Sequence, residues 1–155
     1  MENMSRRNLI RLLFVLLIIA TVSFIFIQSM IPPEESEDQS GAVSEIIGEI
    51  IPPETPVGGY VQTNIRKIAH FVEFAVLGAE VATFVVLFIK KIHYALASFL
   101  FAFVVAFFDE TIQIFSGRGP QITDVWLDLF GFASTAAIIY TVCVMIYFVK
   151  SKRKQ

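Results

Sequence analysis

Apolar runs that are long enough to cross a bilayer dominate the pattern of this chain. Four such runs occupy residues 12–31, 68–89, 94–115 and 125–148. The hydrocarbon core of a bilayer is roughly 30 Å thick, which a helix crosses in about 20 apolar residues. Only helices and closed barrels satisfy their backbone groups in lipid, and these runs lack the alternation of barrel strands. The pattern predicts an all-α, integral membrane four-helix bundle that forms a single domain over residues 1–155.

The segment between the first two spans, residues 32–67, carries two different patterns. It opens with the Pro-rich acidic stretch PPEESEDQSG, which predicts a solvated loop. The following stretch AVSEIIGEII places isoleucines at helical spacing opposite Glu45 and Glu49, which predicts a short amphipathic helix that ends at Pro52. Such a helix can cover the helix ends as a lid or guide an amphiphile into the bundle. The second role is weaker because basic residues are missing from its polar face.

Composition agrees with a membrane location, and charge sets the orientation. Hydrophobic residues make up 55% of the 155 residues, above the 45–50% of ordinary soluble domains. Basic residues lie in three segments outside the predicted spans. Arg6, Arg7 and Arg11 precede the first span, Lys90 and Lys91 lie in the link between the second and third spans, and Lys150, Lys152, Arg153 and Lys154 follow the fourth. By the positive-inside rule both termini are predicted to be cytoplasmic, with residues 32–67 outside. A cleaved signal peptide is disfavoured because the first apolar run exceeds the usual 7–15 residues.

Three of the four predicted spans carry polar groups near their outer ends. Those of the second span fall within an arc of about 80°, and the acids of the fourth are one helical turn apart. Ionisable groups inside a membrane usually face the protein interior and pair, because lipid rejects them. We therefore expect one shared pocket that opens to the outside. The groups are Arg66, His70 and Glu73 on the second span, Asp109, Glu110 and Gln113 on the third, and Asp124 and Asp128 on the fourth, with Lys67 and Arg118 as further cations; Glu80 lies on the same stripe of the second span but deeper.

Three motifs in this region resemble those of the VanZ-like membrane proteins. They are KIAHFVEFAVLG from Lys67, DETIQIFSGRG from Asp109 and TDVWLDLFG from Thr123. The chain departs from the family where Asp128 stands at a position that is commonly Asn, and where Glu80 adds an acid. The resemblance implies a plasma-membrane protein that acts on the cell envelope. It also implies lower susceptibility to teicoplanin, a lipid-tailed glycopeptide that binds cell-wall precursors, but it supplies no reaction.

A structural role for the polar cluster stays open. In that role ion pairs lock three helices together, with Arg118 reaching back to Asp109 or Asp124. Buried ion pairs are poor stabilisers compared with apolar packing, because desolvation offsets much of the attraction. A cluster of this size therefore favours a function in addition to a structural role.

A site for an amphiphile whose polar head carries a phosphate or an amino sugar is the main functional hypothesis. His70 is a proton carrier that Glu73 can orient, which is the minimum for acid–base work on a phosphoester. The planar fork of Arg118 and the point charge of Lys67 suit an anionic head group. The predicted catalytic residues are His70, Glu73, Asp109, Glu110 and Asp124, and the predicted substrate-binding residues are Lys67, Gln113, Arg118 and Asp128.

A divalent metal is a further hypothesis, which would reconcile the excess of acids with a phosphate substrate. His70 and Glu73 share one helix face, and Asp109, Glu110 and Asp124 would complete an oxygen-rich shell suited to Mg²⁺, Mn²⁺ or Ca²⁺. Dimetal bundles use paired ExxH motifs, whereas this chain has a single motif in the opposite order. The metal signal is therefore weak.

Glu80 and the basic tail complete the set of polar features. Glu80, deep in the second span, would serve proton or ion movement, or it is a neutral buried acid hydrogen-bonded to Ser134 or Thr135. The tail KSKRKQ is predicted to lie at anionic lipid on the inner side, and no nucleic-acid partner is expected. The lipid bilayer and an amphiphilic or lipid-linked ligand are the predicted partners.

Overall fold

Helices account for nearly all of the chain that the structure describes. The computed structural model describes residues 5–89, 93–119 and 121–152. Lys90, Lys91, Arg153 and Lys154, on which the predicted orientation partly rests, lie outside these ranges. Six α-helices and one π-helical segment make up the described part, which contains no strand: α1 (Arg6–Met30), α2 (Pro33–Ile50), α3 (Pro56–Thr63), α4 (Ile65–Phe84) with its π-helical continuation (Val85–Ile89), α5 (Tyr94–Phe115) and α6 (Ile122–Lys152).

Four of these helices are long and apolar enough to cross a membrane. They are α1, α4 with its π-helical continuation, α5 and α6. Large apolar side chains on their outer faces stay exposed, which is the state expected of residues that face lipid rather than water. The prediction of an all-α bundle with four membrane-spanning helices is confirmed.

The acidic stretch after α1 is helical, so the prediction of a solvated loop there is wrong. Pro33 occupies the first turn of α2, where its fixed φ suits a helix and its missing N–H is not needed. Glu34 and Glu35 follow in the same turn, where the positive end of the helix dipole favours acids. The predicted amphipathic helix is confirmed as the second half of α2, which ends at Ile50. Its Ile46 and Ile50 are exposed, whereas Ile47 is half-buried, so only part of the apolar stripe faces away from the bundle.

The short helix α3 is absent from the sequence-based prediction. Its N-cap is Thr55, whose side chain accepts a hydrogen bond from the Gly58 N–H at 3.0 Å, and Pro56 occupies its first turn. This cap turns the chain after Pro52 and leads it into α4. The segment between the first two spans is therefore helical over most of its length.

The closest helix pair is α4 with α6, and two glycines permit the close approach. A Cβ placed on Gly78 would overlap the backbone of Phe132, and one on Gly131 would overlap the backbone carbonyl of Phe71. Small residues at such interfaces let the backbones of membrane helices touch. An apolar core fills the space beneath the polar groups, and its largest fully buried members are Phe74, Phe132, Ile25 and Leu77.

Glu80 is connected to α1 rather than to α6. Its Oε1 accepts a hydrogen bond from Thr21 Oγ1 at 2.9 Å. Ser134 and Thr135 donate instead to backbone carbonyl oxygens, at 2.7 and 2.6 Å. The predicted hydrogen bond from Glu80 to one of these two hydroxyls is therefore wrong, because Ser134 donates to Gly131 of its own helix and Thr135 donates to Ala75 of α4.

Candidate functional site

Asp109 of α5 is the centre of the polar cluster and is fully buried. Ser29 Oγ at the end of α1 donates a hydrogen bond to Asp109 Oδ1. Gln113 Nε2, one turn further along α5, donates to Asp109 Oδ2 at 3.0 Å. His70 Nδ1 of α4 lies 3.6 Å from the same Oδ2. One carboxylate thus connects three of the four membrane-spanning helices.

The His70 and Glu73 pair lies on one face of α4, as their spacing predicts. His70 Nδ1 is 4.0 Å from Glu73 Oε2, and both side chains are mostly buried. Neither of these two atoms has a hydrogen-bond partner among the described residues. The imidazole therefore faces two carboxylates, of Glu73 and Asp109, without being held by either.

Asp128 of α6 completes this centre. It is 1% exposed, and both of its carboxylate oxygens lack a hydrogen-bond partner in the described part of the chain. One ligand atom each from His70, Asp109 and Asp128 lie within 4.8 Å of one another. Gly131, one turn after Asp128, permits the close contact with α4 that holds the acid at this position.

Asp124, one turn before Asp128, lies at the rim of the cluster. Lys67 Nζ is 3.8 Å from Asp124 Oδ1, and the lysine side chain is half exposed. Glu110 also lies away from the centre, because its Oε2 accepts the backbone N–H of Gln121 at 3.2 Å. Glu110 therefore holds the segment that leads into α6.

Arg118 reaches the cluster through a helix-terminating turn. The Gly117 φ is +84°, in the left-handed region that favours glycine. The N–H of Arg118 donates to the Gln113 carbonyl at 3.0 Å, and the N–H of Gly117 to the Ile114 carbonyl at 3.3 Å. These two bonds form a Schellman motif, which reverses the chain at the end of α5 and returns Arg118 toward the bundle.

Arg118 is 93% buried, and no acidic partner for its side chain lies among the described residues. Its Nε has no hydrogen-bond partner, and the predicted ion pair with Asp109 or Asp124 is wrong, because neither carboxylate lies within 4.0 Å in the described structure. Burial, helped by nearby Arg66, lowers the pKa of the Arg118 guanidinium, while Asp109 opposes the shift. Arginine stays charged in proteins, so this cation remains available to an anion.

A cavity of about 120 Å³ lies between α2 and α4 beside this cluster. Since water occupies about 30 Å³ in the liquid, the cavity has room for a few waters or one small polar group. Its walls include Arg66, His70, Glu73 and Arg118 on one side, and Ser36 and Gln39 of α2 on the other. A second cavity of about 170 Å³ lies on the far side of Arg66 and His70, next to Lys67 and Asp124. The position of α2 supports the lid role.

Ser29 is the polar contact that the sequence-based site prediction missed. Its side chain is fully buried, and its backbone carbonyl accepts a hydrogen bond from Ser116 Oγ at 2.8 Å. The available signal was the pair Gln28 and Ser29 at the end of an otherwise apolar run. Arg66 is also close, since its guanidinium donates to Gln113 Oε1 at 3.5 Å.

The helices and this cluster define a multi-pass α-helical membrane protein with a buried polar site at one end of its bundle. A family model described as VanZ/LLP1 matches residues 14–149. The chain belongs to the VanZ/LLP1 family, as the three motifs predict. The match runs from within α1 to within α6, so it includes every element that contributes to the cluster. Neither a curated protein nor a solved structure matches the chain.

Proposed function

We propose that this chain acts on the cell envelope from the plasma membrane, where its polar pocket binds the head group of an amphiphile and lowers susceptibility to lipid-tailed glycopeptides such as teicoplanin. The observation that supports this proposal is the buried Arg118, which lines a small polar cavity and has no acidic partner in the part of the chain that the structure describes. An unpaired buried cation destabilises a fold, so stability alone gives no reason for it. An anionic head group would supply the missing charge.

The proposed orientation places both termini in the cytoplasm and α2 and α3 outside. The basic residues at the start of α1 and at the end of α6 support it by the positive-inside rule. The acids of α2 do not oppose it, because Asp and Glu contribute little to orientation. In this orientation the cavity beneath α2 faces the outer leaflet, where cell-wall precursors and lipid-tailed glycopeptides reside.

Within this site we assign the anion to Arg118, with Lys67 and Gln113 as the other head-group contacts; Asp128, which the sequence also predicted to bind substrate, is 1% exposed and does not line this cavity. Arg118 offers five donors in a planar fork, which suits a phosphate or carboxylate. Lys67 is half exposed at the rim and adds a mobile point charge. The polar side of α2 closes the cavity over the bound head group.

The test is susceptibility of a sensitive host that expresses the chain, with teicoplanin compared to vancomycin, which lacks the lipid tail. The intact chain should raise the inhibitory concentration of teicoplanin several-fold and leave that of vancomycin unchanged. Arg118→Gln should lose this effect at normal membrane abundance, because it keeps polarity and removes the charge. The matched control Arg7→Gln, on the exposed cytoplasmic start of α1, should keep the effect.

Two outcomes contradict the proposal. If the intact chain leaves teicoplanin susceptibility unchanged, the resistance role is wrong. If Arg118→Gln retains full effect, the anion is not held by this residue. Loss of membrane abundance in Arg118→Gln, together with Glu73→Gln, would instead assign the cluster to a structural network.

A second candidate function is an enzyme that acts on a phosphate-bearing lipid or a lipid-linked cell-wall precursor. The observation that favours it is His70 Nδ1, which faces the carboxylates of Glu73 and Asp109 without a hydrogen bond. In that reaction His70, Glu73 and Asp109 would move protons, with Glu110 and Asp124 in positioning roles. Purified protein should then hydrolyse lipid-linked phosphates, and His70→Asn should abolish turnover. Absence of turnover with every divalent metal would contradict this candidate.

A further inference from the structure

We propose that His70, Asp109 and Asp128 hold one divalent first-row transition-metal cation of the Mn²⁺ or Zn²⁺ type. The three residues belong to α4, α5 and α6, and one ligand atom from each lies within 4.8 Å of the others. His70 Nδ1 and Asp109 Oδ2 are 3.6 Å apart. Two donors that share an ion at about 2.1 Å lie about 3 to 4.2 Å from each other, so the distance between His70 and Asp109 suits a shared cation.

Unmet hydrogen-bonding capacity points to the same position independently of the clustering. Asp128 is 1% exposed, and neither of its oxygens has a hydrogen-bond partner within the described ranges. His70 Nδ1 likewise has none. A proton on Asp128 would neutralise the charge, yet it would leave the second oxygen and the imidazole nitrogen unsatisfied. A cation satisfies all of them at once, because each of these atoms offers a lone pair.

The surroundings of Asp109 are those of an oriented ligand. Ser29 and Gln113 donate one hydrogen bond to each of its oxygens. A carboxylate oxygen has two lone pairs, so Asp109 can accept these bonds and still bind a cation. Such donors fix the direction of a ligand and are typical of the shell around a bound metal. Glu73 Oε2, also without a partner and 4.0 Å from His70 Nδ1, supplies a further oxygen at the edge of the site.

The donor set selects among metals. One imidazole with two or three carboxylates combines the nitrogen that suits zinc with the oxygens that suit manganese, and it includes no thiolate. Ca²⁺ and Mg²⁺ prefer an all-oxygen shell, so the imidazole disfavours them.

This ligand set differs from the one expected from the sequence in a definite way. Asp128 takes the place of Asp124, which pairs with Lys67 at the rim. Glu110 is outside the set because it is not among the residues whose ligand atoms lie within 4.8 Å of one another, and its Oε2 accepts the Gln121 N–H. The metal site stands on these contacts and does not depend on the proposed resistance role.

The test is a metal titration of the purified full-length chain in detergent. After EDTA treatment and removal of the chelate, Mn²⁺ is added and free Mn²⁺ is followed by its electron paramagnetic resonance signal. The intact chain should bind one Mn²⁺ per chain, and Zn²⁺ should displace it. Asp128→Asn should weaken binding at least tenfold, because it keeps the shape and removes a ligand charge. Asp124→Asn, the same change one turn earlier on α6, should leave binding unchanged.

A second measurement separates ligand loss from misfolding. Mn²⁺ should raise the thermal midpoint of the intact chain and of Asp124→Asn, and leave that of Asp128→Asn unchanged. Binding that is equal in Asp128→Asn and in the intact chain would overturn the proposal, as would equal loss in both variants. Titration of the intact chain is sufficient by itself: if neither Mn²⁺ nor Zn²⁺ binds at one per chain, the site does not exist.

Discussion

Replacement of Gly78 by alanine tests whether the α4–α6 contact holds the bundle together. A Cβ at this position would lie 2.9 Å from Phe132 Cα and 2.6 Å from Thr135 Oγ1, and closer still to the Phe132 carbonyl oxygen. Ordinary contacts of a Cβ are 3.4 to 4 Å long. The obstructing atoms include backbone, which cannot rotate away as the end of a side chain can. The two helices must therefore separate, by about half an ångström or more.

The expected loss of stability follows from this overlap. Added volume at a closely packed interface costs about 1 to 3 kcal/mol. For a chain of this size each kcal/mol lowers the unfolding midpoint by about 2 to 4 °C, so Gly78→Ala should lower it by roughly 2 to 12 °C. Glycine to alanine also favours the helix by up to about 1 kcal/mol. The control must be a glycine-to-alanine change that gains the same helix propensity but adds no steric overlap.

Gly41→Ala is that control, because Gly41 lies within α2 with nothing within 4 Å of its Cβ position. Both variants are compared in the same detergent by circular dichroism at 222 nm during heating. The difference between the two midpoints then measures the packing cost alone. Equal midpoints, or a higher midpoint for Gly78→Ala, would refute the argument that close backbone contact joins α4 to α6.

Two further predictions concern hydrogen bonds and ion pairs. Ser29→Ala removes a hydrogen-bond donor from buried Asp109. Interhelical hydrogen bonds in membranes contribute about 0.6 to 1.7 kcal/mol, so the unfolding midpoint should fall by roughly 1 to 7 °C. The control Ser23→Ala, at an exposed position of the same helix, should not change the midpoint. Lys67→Met should leave the midpoint within about 2 °C of the intact chain, because its ion pair with Asp124 is 3.8 Å long and half exposed; a larger fall would mean that this pair is structural.

The membrane-spanning helices could be predicted from the sequence, because an apolar run of about 20 residues in lipid must form a helix to satisfy its backbone hydrogen bonds. The extramembrane part was harder. The acids after Pro32 were interpreted as a loop from their charge, although Pro33 and the two glutamates behind it also form a good helix start. Composition and local start signals disagreed, and the start signals were correct. The π-helical segment Val85–Ile89 has no counterpart in the periodic pattern.

The meeting of polar groups from three helices could also be predicted, but their arrangement could not. Spacing places Asp124 and Asp128 on one face of α6 and does not say which of them is deeper beside His70. That depends on how α4 and α6 cross, which is set by backbone contact at Gly78 and Gly131. Helical periodicity tells which face of one helix a side chain is on. The geometry of a site also depends on how far two helices are shifted along each other, which periodicity does not give.

The Ser29 hydroxyl lies within reach of two acceptors, which bears on how the chain is assembled during synthesis. It is 3.1 Å from the Ile25 carbonyl oxygen of its own helix, and it also donates to Asp109 on α5. When α1 leaves the ribosome before α5 and enters the bilayer without it, the hydrogen bond to the Ile25 carbonyl leaves the Ser29 hydroxyl satisfied in lipid. Arrival of α5 gives the same hydroxyl a second acceptor, the Asp109 carboxyl oxygen. The Ser29 hydroxyl therefore adds little to the free-energy cost of inserting α1, and its hydrogen bond to Asp109 stabilises the later packing of α1 against α5.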